Sequence, residues 1–185
     1  DKLASLPLPD TAPLSATYDL LVTGVGGTGV ITVGALITMA AHLEHKGASV
    51  LDFMGFAQKF GPVLSFIRLA REPSMLNQVR IDQQQADALI GCDLVVSSSP
   101  KASACLRPGH TRTVLNTTEM STADFVKFRD ASLKAGDRVN AIRDVVGKQN
   151  LSVIAANSLA EALLGDTIYA NVLLLGYAWQ SGLLP

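Results

Sequence analysis

Residues 18–30, YDLLVTGVGGTGV, decide the fold of this 185-residue chain. The apolar run Tyr18–Thr23 is typical of a buried strand, and the glycine-rich turn Gly24–Val30 follows it directly. Residues Gly29–Lys46 then favour a buried helix, and Ala48–Phe53 a second strand. A strand, a turn, a helix and a strand in this order make a right-handed unit with parallel strands.

The pattern continues outward from this unit. Residues 62–69 form an apolar run, and the loop before it, 54–61, is too short to hold a crossover helix. We therefore expect this strand to run antiparallel to the second one. Beyond it, the sequence predicts strands at 93–98, 111–116 and 151–155 and helices at 83–90, 137–146, 158–164 and 168–180. The fold class is α/β, a three-layer Rossmann-like sandwich with a mostly parallel sheet and one antiparallel strand.

The chain divides into an N-terminal segment and one domain. Residues 1–16 contain three prolines and no periodicity, which indicates a linker or an arm laid on the surface. Residues 17–185 have the length of a single domain with its own core. Both ends look cut from a longer protein.

Composition excludes several classes of function. Lys and Arg number 15 and Asp and Glu 16, so nothing suggests nucleic acid or an anionic membrane surface as a partner. The uncharged run between Asp19 and Glu44 is interrupted by Gly24, Gly26, Gly27 and Gly29, which argues against a membrane span. Because 48% of residues are hydrophobic and 17% charged, we expect the chain to bury partner surface in addition to its own core.

Side chains that carry catalysis are scarce. Cys92 and Cys105 lie in no CxxC motif and near no histidine, so neither a metal site nor a disulfide framework is predicted. A reducing, cytoplasmic setting follows from that cysteine usage. No G-x-S-x-G motif occurs, and His42, His45 and His110 have no evident carboxylate or nucleophile beside them.

The glycine turn is the main candidate site. It satisfies G-x-G-x-x-G between a strand and a helix, where the N–H groups and positive dipole end of the helix can face an anion. Val30 replaces the lysine that a P-loop requires. The candidate residues are Gly24, Gly26, Gly27, Thr28 and Gly29. In the alternative interpretation, these glycines serve only to form the turn and to let the helix pack tightly on the first strand. NAD is less favoured, because Asp52 lies farther along than the usual ~20 residues.

Other polar residues are expected near the same sheet edge. Gln58 and Lys59 could meet a phosphate there, although Lys59 is otherwise a solvated loop residue. Residues 97–101 and 116–119 are predicted to follow strands and to cap the next helices. Arg68 is expected to be a charge at the rim or an interface. Residues 168–180 form either a central core helix or a partner-facing helix anchored by Tyr177 and Trp179.

Three stretches resemble the gamma domain of the 2-oxoacid:ferredoxin oxidoreductases. They are the glycine turn 24–30, residues 52–63 and the ending 171–185. The form Ala57-Gln58-Lys59, with residues 93–96 and 114–117, is most similar to the long-chain indolepyruvate ferredoxin oxidoreductases. The resemblance covers roughly Tyr18–Pro185.

The resemblance implies part of a larger, homo-oligomeric enzyme. Such an enzyme decarboxylates a 2-oxo acid on thiamine diphosphate, passes electrons through 4Fe-4S clusters to ferredoxin, and transfers the acyl group to coenzyme A. It also implies that the gamma domain holds neither thiamine nor clusters, is inactive alone, and faces the thiamine-binding domains. The glycine turn, Gln58 and Lys59 then become candidates for coenzyme A phosphates. A free-standing NAD-binding Rossmann protein and a purely structural docking module are the alternatives.

Overall fold

A computed structural model describes residues 5–11, 13–54, 61–118 and 135–185. The strands are β1 (Thr17–Val25), β2 (Gly47–Met54), β3 (Pro62–Ala70), β4 (Ala88–Gly91), β5 (Arg112–Asn116) and β6 (Leu151–Ile154). The helices are α1 (Val30–Leu43), α2 (Leu94–Ser97), α3 (Pro100–Cys105), α4 (Ala135–Val146), α5 (Ala156–Leu164) and α6 (Ala170–Gln180). Short 3-10 turns lie at Pro73–Met75, Lys148–Asn150 and Thr167–Tyr169.

The six strands form one sheet in the order β2-β3-β1-β4-β5-β6. Strand β3 runs antiparallel to both of its neighbours, β1 and β2, whereas β1, β4, β5 and β6 pair in parallel. The β1–β3 register runs from Thr17 opposite Ala70 to Val25 opposite Pro62. The mostly parallel α/β sandwich with one antiparallel strand is therefore confirmed.

Helices cover both faces of the sheet. Leu20 and Val22 of β1 belong to one core with residues of α1, α5 and α6. Leu21 and Val25 belong to a second core with residues of α2, α3 and α4. Since successive strand side chains point to opposite faces, one apolar strand supplies both cores. This accounts for the continuous apolar sequence of β1.

Two sequence predictions in the middle of the chain are wrong. Residues 83–90 are not a helix, because Ala88–Gly91 form strand β4. Residues 93–98 are not a strand, because Leu94–Ser97 form α2. The Asp93 carboxylate accepts a hydrogen bond from the Val96 N–H at 2.8 Å. That N-cap favours a helix over the strand preference of the two valines at 95 and 96.

The described part of the N-terminal segment contacts the end of the chain. Gln180 Nε2 donates to the Pro7 carbonyl at 2.7 Å. Leu14 packs against the core on the α1 and α6 side. Among the helices of the described ranges, none combines the length and the apolar character that crossing a membrane requires.

Candidate functional site

The glycine turn joins the carboxyl end of β1 to the start of α1. Gly27 and Gly29 have φ angles of 87° and 91°, in the left-handed region that favours glycine. Helix α1 then begins at Val30, with no side chain capping its first turn. The first N–H groups of a helix have no partner within it, so they remain donors at this edge of the sheet.

The other two glycines of the motif serve packing. A Cβ atom on Gly24 would lie 2.5 Å from Val30 Cγ2 and 3.0 Å from Cys92 Cβ. Gly26 donates its N–H to the Gly61 carbonyl at 2.8 Å, which ties the turn to the start of β3. A Cβ on Gly29 would meet nothing closer than 4.0 Å. The tight contact between helix and strand therefore belongs to Gly24 and not to Gly29.

Thr28 is held from two sides. Its hydroxyl donates to the Val25 carbonyl at 2.7 Å, within the turn. Asn171 Nδ2, at the start of α6, donates to the Thr28 carbonyl at 2.6 Å. Asn171 is only 6% exposed. Sequence reasoning missed this residue, although an asparagine in an otherwise apolar helix was the available signal.

Two cavities flank the turn. One, of about 330 Å³, lies between Gly27, Gly29 and the ends of β2 and β3 at Met54 and Val63. The other, of about 210 Å³, is lined by Thr28, Cys92, Asn157, Asp166 and Asn171, among others. Asp166 is the only charged residue among the described residues that line either cavity. An anion in the first cavity would therefore meet backbone N–H groups and neutral side chains among the described residues, whereas the second cavity also presents the Asp166 carboxylate.

Asn116 organises the rest of this sheet edge. Its Nδ2 donates to the Cys92 carbonyl at 3.1 Å and to Asn157 Oδ1 at 2.8 Å. Its Oδ1 accepts from the Ala156 N–H at 3.0 Å, at the start of α5. Asn116 thus links β4, β5 and α5. Residues 119–134 lie outside the described residues, so the cap predicted at 116–119 stays a prediction.

The serines of residues 97–101 are divided between two roles. Ser99 caps α3 by accepting from the Ala102 N–H at 3.4 Å, as predicted. Ser97 lies inside α2, and its hydroxyl is 2.8 Å from the Thr23 hydroxyl in the buried space under the sheet edge. It does not follow a strand, because β4 ends at Gly91.

Asp52 is separated from the glycine turn. It accepts a hydrogen bond from the Ser65 hydroxyl at 2.5 Å. Strand β3 lies between β2, which carries Asp52, and β1. At 4.7–4.9 Å per strand, the backbone of Asp52 is roughly 10 Å from that of β1. In a dinucleotide site the acidic strand neighbours the first strand directly, so this arrangement does not match one.

Two of the candidate residues, Gln58 and Lys59, and also Glu119, lie outside the described residues. Of the histidines, His110 does have a carboxylate beside it, since its Nε2 lies 3.3 Å from Asp87 Oδ1. That pair is at the amino ends of β4 and β5, the edge opposite the glycine turn.

The cysteines do not fit an iron–sulfur cluster. A 4Fe-4S cluster takes four cysteine thiolates, and the chain has two cysteines, both free and buried. Burial raises the pKa of the Cys92 thiol to about 12, with the nearby Asp93 adding to the shift. Burial also raises the pKa of Cys105. No group of three His, Cys, Asp or Glu side chains suited to a metal occurs in the described ranges.

Arg68 is not a rim charge. It is 7% exposed, and its Nε and Nη2 donate to the two carboxylate oxygens of Asp19 at 2.6 and 2.5 Å. The hydrogen bonds that Arg68 donates to the Asp19 carboxylate raise the pKa of Arg68 above its usual value. Asp19 lies five residues, about 17 Å, along β1 from Gly24, so the ion pair stabilises the opposite end of the sheet.

Comparison with known proteins assigns this chain to a family. Residues 19–185 match the family described as pyruvate ferredoxin/flavodoxin oxidoreductase. The pyruvate/ketoisovalerate oxidoreductases common subunit gamma of Thermococcus litoralis is 25% identical over 147 residues, 76% of each chain. Indolepyruvate oxidoreductase subunit IorB of Thermococcus kodakarensis is 33% identical over 55 residues, 30% of this chain and 27% of that protein. The latter match thus spans about a quarter of its relative.

Solved structures share the fold. Pyruvate oxidoreductase subunit PORC of Thermotoga maritima matches with a TM-score of 0.61 at 17% identity, over 92% of this chain and 80% of that one. A 2-oxoglutarate:ferredoxin oxidoreductase of Magnetococcus marinus, with 2-oxoglutarate, coenzyme A and succinyl-CoA bound, matches with a TM-score of 0.59 at 14% identity. That alignment covers 89% of this chain but 24% of the longer one. The chain belongs to the pyruvate ferredoxin/flavodoxin oxidoreductase family.

Proposed function

We propose that this chain is the gamma-type part of an enzyme that oxidatively decarboxylates 2-oxo acids to acyl-CoA with ferredoxin as the electron acceptor. The family match over residues 19–185 carries the proposal. We place thiamine diphosphate and the 4Fe-4S clusters in other domains or subunits, as the family resemblance implies, and the two cysteines of this chain are too few to hold a 4Fe-4S cluster. We place the enzyme in the cytoplasm, as a homo-oligomer when complete.

The substrate we propose is indolepyruvate or another aryl or branched 2-oxo acid. The support is the resemblance around Ala57-Gln58-Lys59 and the partial similarity to an indolepyruvate oxidoreductase subunit. The test is turnover of the assembled enzyme with viologen as acceptor, coenzyme A present, and indolepyruvate, a branched-chain 2-oxo acid, pyruvate and 2-oxoglutarate compared. A higher kcat/KM for pyruvate or 2-oxoglutarate would refute this specificity, and no turnover of any 2-oxo acid would refute the function.

We propose that the glycine turn helps to receive the phosphates of coenzyme A. The support is a helix N-terminus, whose first N–H groups have no partner within the helix, beside two cavities, in a family in which one relative was solved with coenzyme A bound. Gly24, Gly26, Gly27, Thr28 and Gly29 would form the backbone cradle, with Gln58 and Lys59 adding polar and positive groups.

Kinetics of the assembled enzyme test the role of Lys59. Lys59→Ala is expected to raise the KM for coenzyme A several-fold and to leave kcat unchanged, the result of losing ground-state binding. The effect should diminish with added salt, since exposed charges are screened within ~8–10 Å near physiological ionic strength. Lys148→Ala, an exposed lysine at the opposite sheet edge, is the matched control. Equal KM values for coenzyme A in the two variants would show that Lys59 is an ordinary solvated loop residue.

A further inference from the structure

Two helices of one layer have almost no charge on their outer surface, whereas α5 in the same layer carries the exposed Glu161. Helices α1 and α6 lie side by side on the same face of the sheet and share one core. Their 14 and 11 residues include no Asp, Glu, Lys or Arg. An α-helix at a solvent-facing surface normally carries charged residues on its outer side. The absence on both helices therefore needs an explanation.

Large apolar side chains occupy that outer side. The inward residues of α1, including Val33 and Ile37, are at most 6% exposed. Seven large apolar residues of the two helices are between 39% and 71% exposed: Ile31, Leu36, Met39, Leu43, Val172, Tyr177 and Trp179. Along α1, Leu36, Met39 and Leu43 are spaced by three and four residues, so they form one row on the helix. We call the outer side of α1 and α6 the uncharged face.

The opposite layer of helices supplies an internal comparison. Helix α4 has four charged residues in 12, and its apolar residues Ile142 and Val146 are buried. Within the described ranges, none of the large apolar side chains exposed to solvent lies on α2, α3 or α4. The two layers cover the same sheet and come from the same chain. Their difference therefore reflects what each outer surface contacts, and not the composition of the protein as a whole.

We infer that the uncharged face is the surface by which this chain docks against another domain or subunit of its own oxidoreductase. This inference rests on the proposed function. In the Magnetococcus marinus relative, the matching fold is 24% of one chain, so this fold can lie beside some three times its own length of the same polypeptide. Permanent interfaces are more apolar than transient ones, and the uncharged face has that character.

The chemistry of the face also restricts its partner. A charged group buried against α1 or α6 would lose its water and find no opposite charge on either helix. The partner surface must therefore be apolar or neutral where it meets them. Tyr177 and Trp179 are the residue types that most often act as anchors at interfaces. Helix α6 has features of both alternatives for the last helix, because Leu174 and Ala178 are buried in the core while Tyr177 and Trp179, about 200° apart around the helix, are each partly exposed.

Site-directed alkylation of the assembled enzyme tests the inference. Met39→Cys places a thiol on the uncharged face, and Ala141→Cys places one at an exposed position of α4. The native Cys92 and Cys105 are buried, which keeps the background reaction low. With N-ethylmaleimide, we expect the thiol of the Met39→Cys enzyme to react at least tenfold more slowly than that of the Ala141→Cys enzyme. Denaturation should abolish the difference. Ala35→Cys, also exposed on α1, replaces Met39→Cys if that variant fails to assemble.

Photo-crosslinking identifies the occupant. Tyr177 is replaced by p-benzoylphenylalanine in the assembled enzyme, with the same replacement at Ala141 as control. After irradiation, we expect crosslinked peptides from another domain or subunit of the enzyme at position 177. Equal alkylation rates in the two cysteine variants, or crosslinks from position 177 to residues 30–43 or 170–180 of a second copy, would overturn the inference. Neither readout uses activity, so 2-oxo acid turnover of the same preparation reports separately on the proposed function.

Discussion

Gly24 and Gly27 are required at the turn for different physical reasons, and single substitutions separate them. Gly24→Ala would put a methyl group 2.5 Å from Val30 Cγ2, so we expect overpacking to cost about 1–3 kcal/mol of unfolding free energy. Gly27→Ala has open space but a φ of 87°, so we expect a cost of about 1–2 kcal/mol from the left-handed backbone. Urea unfolding of the chain measures both.

A third glycine provides the control. Gly176 lies in helix α6 at an exposed position, and an added Cβ would meet nothing within 4 Å. Gly176→Ala should therefore stabilise the chain by about 1 kcal/mol, the usual gain in a helix interior. If Gly24→Ala were also stabilising, the contact between the turn and α1 would be looser than the geometry indicates.

The ion pair of Arg68 and Asp19 is the second test at the scale of residues. Arg68→Met leaves the Asp19 carboxylate buried and unpaired, so we expect a loss of about 3–5 kcal/mol in unfolding free energy. Asp19→Leu combined with Arg68→Met removes both charges and should recover most of that loss. Arg71→Met, at an exposed pair 3.7 Å from Glu72, should change stability by less than about 1 kcal/mol. A loss no larger than that of Arg71→Met would contradict the burial of the pair.

At the scale of elements, α6 positions the glycine turn through one side chain. Asn171→Ala removes the donor that Thr28 accepts from at 2.6 Å and leaves that carbonyl without this partner. We expect a loss of about 1–3 kcal/mol in unfolding free energy and faster amide hydrogen exchange around residues 26–30. Gln180→Ala, which removes a hydrogen bond at the exposed end of the same helix, is the control. Unchanged exchange at the turn would show that α6 does not hold it.

The sequence predicted helices and strands correctly where the segment was long and its pattern depended only on neighbouring residues. The first strand, the glycine turn and α1 have this character, and so does the antiparallel β3, which the short preceding loop determined. The errors at 83–90 and 93–98 come from a strand of only four residues, Ala88–Gly91, which is too short to show a period. The rim position expected for Arg68 was wrong because β3 is covered on both faces. In such a strand, the alternation of polar and apolar residues does not indicate which side chains are exposed.

At the scale of the whole molecule, the order of strands decides which candidate residues can meet. The sequence placed the glycine turn at the carboxyl edge of the sheet, and the structure shows it there. It did not reveal Asn171, nor which groups Asn116 contacts, and their partners are 143 and 40 residues away in the chain. Contacts at such separations depend on how helices return across the sheet, and no local pattern encodes them. The same holds for Asp52, whose distance from β1 depends on the insertion of β3 between the two strands.

Strand order therefore argues against a dinucleotide site in this chain. In the dinucleotide folds, an acid on the strand beside the first one holds the ribose. Here Asp52 is two strands from β1 and already accepts a hydrogen bond from Ser65. In a thermal-shift experiment we expect coenzyme A to raise the melting temperature of the assembled enzyme, since a ligand that binds the native state stabilises it by mass action. NADH at the same concentration should give no shift, in the wild type and in Asp52→Asn alike. A larger shift with NADH that Asp52→Asn abolished would instead favour a dinucleotide site, and would require Asp52 to leave Ser65.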